Sequence, residues 1–463
     1  MILSRRTFIG AAALALGSRG WRRVSSLGTP PLALPNPAQL TWQRDELAMF
    51  IHFGINTFTG REWGLGSEDP ALFDPTALDA RQWARTARTA GFRAMILTAK
   101  HHDGFCLWPT ATTRHSVAAS PFRGGQGDVV REFTDACRAE GLRAGLYLSP
   151  WDRNSPVYGD SARYNDFYIA QLTELLTRYG PIAEVWFDGA NGEGPNGRKQ
   201  VYDWPRIWGT VRRLQPGAVI FSDAGPDIRW IGNETGSAGE PNWSPVDPTA
   251  VPYPGASGDA VTAMLQHGDP HGSAWRPGET DVSIRPGWFY HPSEDGQVKS
   301  VAELFSIWLS SVGRNSKLLL NVPPTRAGLL HNTDAARVNA LGATIGRSLA
   351  QNLVAGRQIK WQQAGTRRGV AEVSLGAVRS AGMIRLGEQI ERGQRVARYR
   401  IEGWTGGAWK ELSRGETIGY CKLAMFDPVE LSRVRVTVED AVARPLPLHV
   451  GVFPPVSGGG EGR

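Results

Sequence analysis

The stretch AEVWFD, residues 183–188, decides how the chain is read. It is a strand-like run ending on a carboxylate, Asp188, and it is followed by the glycine-rich turn GANGEGP and a helical pattern at 204–214. Taken alone, an aspartate at a strand end is a turn former that accepts backbone hydrogen bonds. Its meaning therefore depends on whether the pattern repeats, and it does. MFIHFGI (49–55) precedes a helical stretch at 78–90, FRAMILTAK (92–100) one at 129–140, and RAGLYLS (143–149) one at 164–179. AVIFSD (218–223) follows the 204–214 helix, and KLLLNV (317–322) follows the helical VAELFSIWLSSVG. Strand–helix repetition with apolar strands predicts a parallel sheet covered on both faces. At 463 residues the chain suits a closed (β/α) TIM-like barrel plus a smaller domain. No G-x-G-x-x-G follows an early strand, which removes the main argument for a dinucleotide site.

The strand ends carry chemistry. His52 lies in the first strand, His101, His102 and Asp103 follow the second, Tyr147 lies in the third and Asp188 ends the fourth. Barrels hold their sites at the C-terminal ends of the strands, so these groups converge on one rim. A hydrolytic metal held by His52, His101, His102 and Asp188 is one reading, but the H-x-H and H-E-x-x-H spacings are missing. Histidines buried as core groups are another. A polyhydroxylated ligand suits the set better: neutral imidazoles and Tyr147 both donate and accept, while Trp63, Trp151 and Trp186 offer apolar faces. A sugar hydrolase needs two carboxyls flanking the scissile bond. Asp188 is the first. For the second, RWIGNETGSAGEPNW (229–243) offers Glu234, directly after a strand-like run, and Glu240, just before Pro241. Asp223 and Asp227 read as a strand-terminal turn, and Glu62 as a group that binds a hydroxyl. The glycines after Asp188 are expected to leave room for substrate against the backbone. No metal and no cofactor is expected.

Hydrophobic residues make up 41% and charged residues 21%, a globular composition. The net charge of +7 comes from scattered arginines without a basic block or nucleic-acid motif, so no nucleic-acid partner is expected. Three cysteines (Cys106, Cys137, Cys421) form neither a disulfide framework nor a zinc spacing. SRRTFI (4–9) before a short apolar stretch resembles the bacterial twin-arginine export signal. It implies a periplasmic or secreted protein without stable membrane anchoring, because the apolar stretch is too short to span a bilayer.

Six motifs in order resemble glycoside hydrolase family twenty-nine, the α-L-fucosidases: MFIHFGINTFTGREWG, LTAKHHDGFCLWPT, GLYLSPWDR, EVWFDGANGEG, RWIGNETG and NSKLLLNVPP. The resemblance spans roughly residues 42–350. It implies a (β/α) barrel and a retaining double displacement without metal, on a fucosylated glycan. Position by position, it implies Asp188 as nucleophile and His52, Glu62, Trp63, His101, His102, Tyr147 and Trp186 as fucose-binding residues. WFDGANGEGP and GNE resemble the subfamily preferring α-1,3/1,4-linked fucose, in which Glu234 matches the acid/base and Glu240 is the runner-up. Another retaining exo-glycosidase on the same barrel, or a non-catalytic carbohydrate-binding protein, are the alternative readings.

The expected organisation is a signal peptide (1–28), a proline-rich linker (29–39), the catalytic barrel (40–350), an antiparallel β-sandwich (351–455) and a flexible tail (456–463). GWTGGAWKELSRGETIGY (403–420) resembles a discoidin-like or galactose-binding sandwich. Residues 236–292, rich in proline and tryptophan, read as loops over the active-site face. The sequence does not define an oligomeric state.

Overall fold

The structure, a computed structural model, describes residues 31–456, so the expected export signal and all but the first residue of the tail lie outside it. Helix α1 (Pro37–Asp45) begins inside the segment expected to be a linker. Asn36 caps it: its side chain accepts from Gln39 N–H, and Gln39 Oε1 accepts from Asn36 N–H, each at 2.9 Å.

Eight parallel strands follow: β1 (Leu47–Ile51), β2 (Ala94–Lys100), β3 (Arg143–Leu148), β4 (Glu184–Trp186), β5 (Val219–Phe221), β6 (Arg229–Trp230), β7 (Gly278–Ser283) and β8 (Ser316–Asn321). Their order, β5-β4-β3-β2-β1-β8-β7-β6, is that of a nearly closed barrel. A parallel bridge between Phe221 and Ile228 spans the seam from β5 to β6.

Helices α2 (Ala80–Thr89), α3 (Val129–Ala139), α4 (Ser161–Arg178) and α5 (Trp204–Leu214) cover the outside. Each starts at an aspartate (Asp79, Asp128, Asp160, Asp203) whose carboxylate accepts an amide of the first turn. A cap of this kind contributes about 1 kcal/mol, and it fixes where each loop from strand to helix ends. Helices α6 (Asp259–His267), α7 (Val301–Ser311) and α8 (Asn332–Leu349) complete the layer.

Alternation along the strands sorts the core in two. Met49, Ile51, Leu97 and Leu146 face the helices, packing on Trp83, Ala84 and Phe133 among others. Ala48, Phe50, Ile96, Tyr147, Trp186, Phe221 and Leu319 face inward. The strands are not all apolar, as the sequence had suggested. Lys317 Nζ lies 3.2 Å from Glu184 and 3.9 Å from Glu279 inside the barrel. It also sits 4.6 Å above the ring of Trp42, whose indole donates to Glu184 at 2.9 Å. Trp42 belongs to α1, which thereby closes the N-terminal end of the barrel. Residues 236–292 are likewise not loops alone. They hold α6, a ribbon pairing Pro245–Val246 with Ala274–Trp275, and the barrel strand β7, whose polar inward residues disguised it.

The C-terminal region is an antiparallel sheet of β9 (Lys360–Gln363), β10 (Gly369–Gly387), β11 (Val396–Thr405), β12 (Ala408–Gly415), β13 (Lys422–Ala441) and β14 (His449–Phe453). Strands β10 and β13, with register shifts, run through the whole sheet and share one core that includes Val373, Ile384, Ile401, Val434 and Val436. Met383, Cys421, Leu423 and Phe453 pack instead into the core of the barrel and its helices. Arg385 pairs with Glu46 at the start of β1, and Tyr420 donates to the same carboxylate at 3.1 Å. A protein truncated at Ala350 would expose this apolar contact. It is expected to be poorly soluble and to unfold at lower temperature than the full chain; a soluble, fully active truncation, scored by yield and melting, would show the sheet to be an independent module.

Candidate active site

The C-terminal ends of the strands surround an open pocket lined by His52, Glu62, Trp63, His101, His102, Tyr147, Trp186, Asp188 and Glu234. Nine of the ten candidate residues named from sequence thus share one space. The tenth, Glu240, lies elsewhere: it pairs with Lys422 of the sheet domain and with Arg314 at 3.4 Å. Glu240 is an anchor, not a lining group. Phe50, Asp281 and Trp288 complete the wall and were not identified from sequence. The signal for Asp281 was present in GETDVS, where Glu279, Asp281 and Ser283 alternate with period two. Polar residues on the inward face of a strand do not register in a search for apolar runs.

The imidazoles have defined roles. Asn321 gives both its amide protons away, to Ser283 Oγ at 2.9 Å and to the Trp288 carbonyl at 2.8 Å. Its Oδ1 therefore accepts from His52 Nδ1 at 2.9 Å, which leaves His52 Nε2 as an acceptor. Ser149 donates to the Trp151 carbonyl at 2.7 Å, so it accepts from His102 Nδ1, also at 2.7 Å. His102 Nε2 is left as an acceptor too. His101 Nδ1 has no partner among the described residues, and its ring stacks against Tyr147 at 5.7 Å. Burial is the main cause that keeps all three neutral: His52 is lowered to about 3, His101 well below its ordinary range, and His102 less far because the Asp188 charge opposes burial.

Asp188 is held from two sides. Tyr147 donates its hydroxyl to Oδ2 at 3.0 Å, and Ala190 N–H donates to Oδ1 at 2.7 Å. Burial first, and then the Asp188 charge, raise the Tyr147 phenol well above its ordinary range, so it remains a donor. Trp186 forms part of the floor, stacked on Phe221 at 4.1 Å, with its indole given to Glu279 at 3.0 Å. Glu62 braces the opposite wall. It accepts from Trp288 N–H at 2.8 Å and meets His291 Nε2 at 2.6 Å. Glu234 stands at the open rim. Partial withdrawal from solvent raises its pKa, the charges of Asp188 and Glu62 add to this, and a hydrogen bond from Trp288 opposes it.

The glycines after Asp188 make room for the protein rather than for a ligand. A Cβ on Gly192 would lie 2.2 Å from the Trp151 ring and one on Gly194 2.5 Å from Tyr158; one on Gly189 would lie 2.7 Å from Asp223 Oδ2. Trp151 is then fixed by donating its indole to the Glu193 carbonyl at 3.0 Å. Asp223 is no idle turn residue: it accepts from Gly255 N–H at 2.7 Å, and burial raises it to about 6. Among the described residues no group of three His, Cys, Asp or Glu side chains is placed to hold a metal ion, and no helix is long and apolar enough to cross a membrane.

A nearly closed parallel barrel with carboxyls, imidazoles and indoles gathered at its rim is the architecture of a carbohydrate-cleaving hydrolase. The sequence pattern of the α-L-fucosidase family matches residues 67–347. Alpha-L-fucosidase 1 of Arabidopsis thaliana is 41% identical over 92% of this chain and 88% of its own length. A glycoside hydrolase 29 family member from a rumen bacterium superposes with a TM-score of 0.85 at 41% identity, covering 93% of this chain and 79% of that one. A Ruminococcus gnavus GH29 fucosidase solved in complex with fucose gives 0.83 at 30% identity, over 92% and 96%. The chain belongs to the α-L-fucosidase family, glycoside hydrolase family twenty-nine, and is a hydrolase with α-L-fucosidase activity.

The buried histidines set a pH signature. An unfolded chain takes up a proton on His52 near pH 6.5 whereas the folded one does so only at about 3, so stability is lost as pH falls through that window. Melting measured between pH 7 and pH 4 is expected to fall less steeply in His52→Gln than in the wild type; parallel curves would contradict a neutral, buried His52.

Proposed function

We propose that the enzyme is a retaining exo-α-L-fucosidase acting on α-1,3- and α-1,4-linked fucose, with Asp188 as nucleophile and Glu234 as acid/base. The observation that carries the reading is the contrast between the two carboxyls in one pocket. Asp188 is oriented at a strand end by a phenol and a backbone amide. Glu234 sits on a loop with its proton affinity raised by burial and by the Asp188 charge. That is the division of labour a double displacement needs. Glu234 gives its proton to the glycosidic oxygen as the bond to the anomeric carbon breaks and Asp188 bonds to that carbon. Glu234 then takes a proton from water, which displaces Asp188 and restores the starting configuration. His52 and His102 offer ring-nitrogen lone pairs to sugar hydroxyls, and Trp186 packs beside the ring. The linkage preference rests on WFDGANGEGP and GNE and fits a mouth where Trp63, 60% exposed, leaves an aromatic face for the sugar beyond fucose.

Asp188→Asn is expected to lower turnover on the order of a thousandfold or more while the fold is kept; retention of most activity rules Asp188 out. Glu234→Ala should keep kcat/KM on an aryl fucoside with an acidic leaving group and lose it on an oligosaccharide. Azide should restore turnover and yield α-fucosyl azide; a β-azide, or no rescue, contradicts the assignment.

Product analysis on a panel of fucosylated oligosaccharides checks the linkage. Release from branched α-1,3/1,4 linkages should exceed release from α-1,2 linkages, and the reverse order removes that preference.

A further inference from the structure

Strand β7 carries two inward acids, and each accepts a hydrogen bond from an indole that ends another strand. Glu279 Oε1 accepts from Trp186 of β4, just upstream of Asp188, at 3.0 Å. Asp281 Oδ1 accepts from Trp230 of β6, just upstream of Glu234, at 2.8 Å. The geometry points to Asp281 as a positioning residue for the Glu234 carboxyl, acting through the Trp230 indole; this rests on Glu234 being the acid/base.

The need for such a device follows from β6 itself. It has two residues, Arg229–Trp230, whose ladder to β7 pairs them with Gly278 and Glu279. On its other side, at residue 228, stands the Phe221–Ile228 bridge. So short a ladder does little to fix the direction of the chain that leaves it. Beyond Trp230, Ile231 N–H still donates to the Glu279 carbonyl at 3.0 Å. Glu234 then lies between Gly232 and Gly236, with φ of 84° and 79°. Glycines hold no loop by themselves, and a catalytic group must be held to a fraction of an ångström. The root of the loop therefore has to be fixed by side chains. Trp230 is gripped on two sides, packing against the barrel interior near Phe221 and Ile228 and against Ala224, Val251 and Leu265. Its one polar atom goes to Asp281, which is 4% exposed and lines the same pocket as Glu234.

The charge state fits the role. Burial first, and then the Glu234 charge, raise Asp281 to about 8. Near neutral pH it is an uncharged acceptor that adds no second negative charge beside the ionised form of Glu234.

The test compares kcat/KM on an activated aryl fucoside and on a fucosylated oligosaccharide for Asp281→Ala, Asp281→Asn, Trp230→Phe and Glu234→Ala, each with and without azide. Asp281→Ala and Trp230→Phe should lose about tenfold or more on the oligosaccharide and less than about threefold on the aryl fucoside, because only the former needs a well-placed acid. Asp281→Asn, which keeps an uncharged acceptor for the indole, should show a smaller difference between the two substrates than Asp281→Ala, by about threefold or more. Equal losses on the two substrates, or none, overturn the inference, and so does azide rescue of Asp281→Ala to α-fucosyl azide, which would make Asp281 the acid/base. Trp230→Phe keeps an aromatic ring and decides the matter should Asp281→Ala fail to fold. A Glu234→Ala variant without the substrate split brings down the acid/base assignment and this inference together. The split in Glu234→Ala without one in Asp281→Ala brings down this inference alone.

Discussion

A closed parallel barrel turns every second residue of each strand into a space that no loop reaches, so inward positions of neighbouring strands stack on one another. Everything at the rim stands on that stack. At its foot, Lys317 lies between Glu184 and Glu279 over the Trp42 ring. Above it, Phe50, Tyr147, Trp186 and Phe221 fill the middle. Above those, His52 and Asp188 reach the pocket, with Asn321 holding His52. Burying three ionisable side chains is costly, and burial first and then the Glu184 charge raise Glu279 well above the ordinary carboxyl range; a hydrophobic filling of equal volume is often no less stable. Once present, however, the cluster is hard to alter, since removing one partner of a buried pair costs roughly 3–5 kcal/mol. Its return lies in direction rather than in stability. Glu279 reaches upward to the Trp186 indole, and a hydrogen-bonded indole holds its rotation where a purely apolar floor would not.

The same low-polarity surroundings act on the titratable groups above. Burial penalises charge of either sign, so it lowers imidazoles and raises carboxyls together. His52, His101 and His102 are left neutral, and Asp223 and Asp281 rise to about 6 and 8. The imidazoles therefore offer lone pairs at fixed places without adding charge of their own, which suits the hydroxyls of an uncharged sugar. Charge is left to develop where the reaction creates it.

How far the sequence could be read follows from these physical facts. The first four strands were legible because each is an apolar run that ends on His52, His101, Tyr147 or Asp188, and apolar runs are what a sequence displays best. The starts of the helices that were read lie within three residues of those observed, as at Asp160, which caps α4 at Ser161 where the periodicity suggested 164, whereas α1, α6 and α8 were not read at all. Strand β7 was hidden because a strand whose inward side chains serve a polar pocket has lost the hydrophobic signal that defines strands. Asp281 disappeared with it. Trp288 was hidden for a different reason: it sits on a loop, and its place depends on Glu62, 226 positions away along the chain. Glu240 was legible in part. Its place before Pro241 suggested a group that binds substrate or anchors the loop, and the docking of a second domain shows which: its charge is engaged by Lys422 and Arg314.

That engagement ties the sheet domain to the chemistry. The loop bearing Glu234 leaves the barrel at Trp230, held by Asp281, and ends at Glu240, held by Lys422 of β13 and by Arg314. Just beyond, Asn242 N–H donates to Thr417 Oγ1 at 2.8 Å, and Asn242 Nδ2 donates to the Arg314 carbonyl at 2.7 Å. Gln394 of the sheet domain completes the junction, giving its amide to the Asn242 carbonyl at 3.0 Å and accepting Ser244 N–H at 2.7 Å. The near end of the loop is thus fixed by the barrel interior, and the far end jointly by Arg314 of the barrel and by the sheet. Glu234 lies between them, flanked by glycines that contribute no stiffness. The sheet lines no part of the pocket, yet it contacts the far end of the loop that carries Glu234. Between those ends Ser310 of the barrel donates to the Gly236 carbonyl at 3.0 Å and accepts from Ala238 N–H through its own carbonyl at 2.9 Å, so the appended sheet adds its hold to one the barrel already has on the loop that leaves its shortest strand.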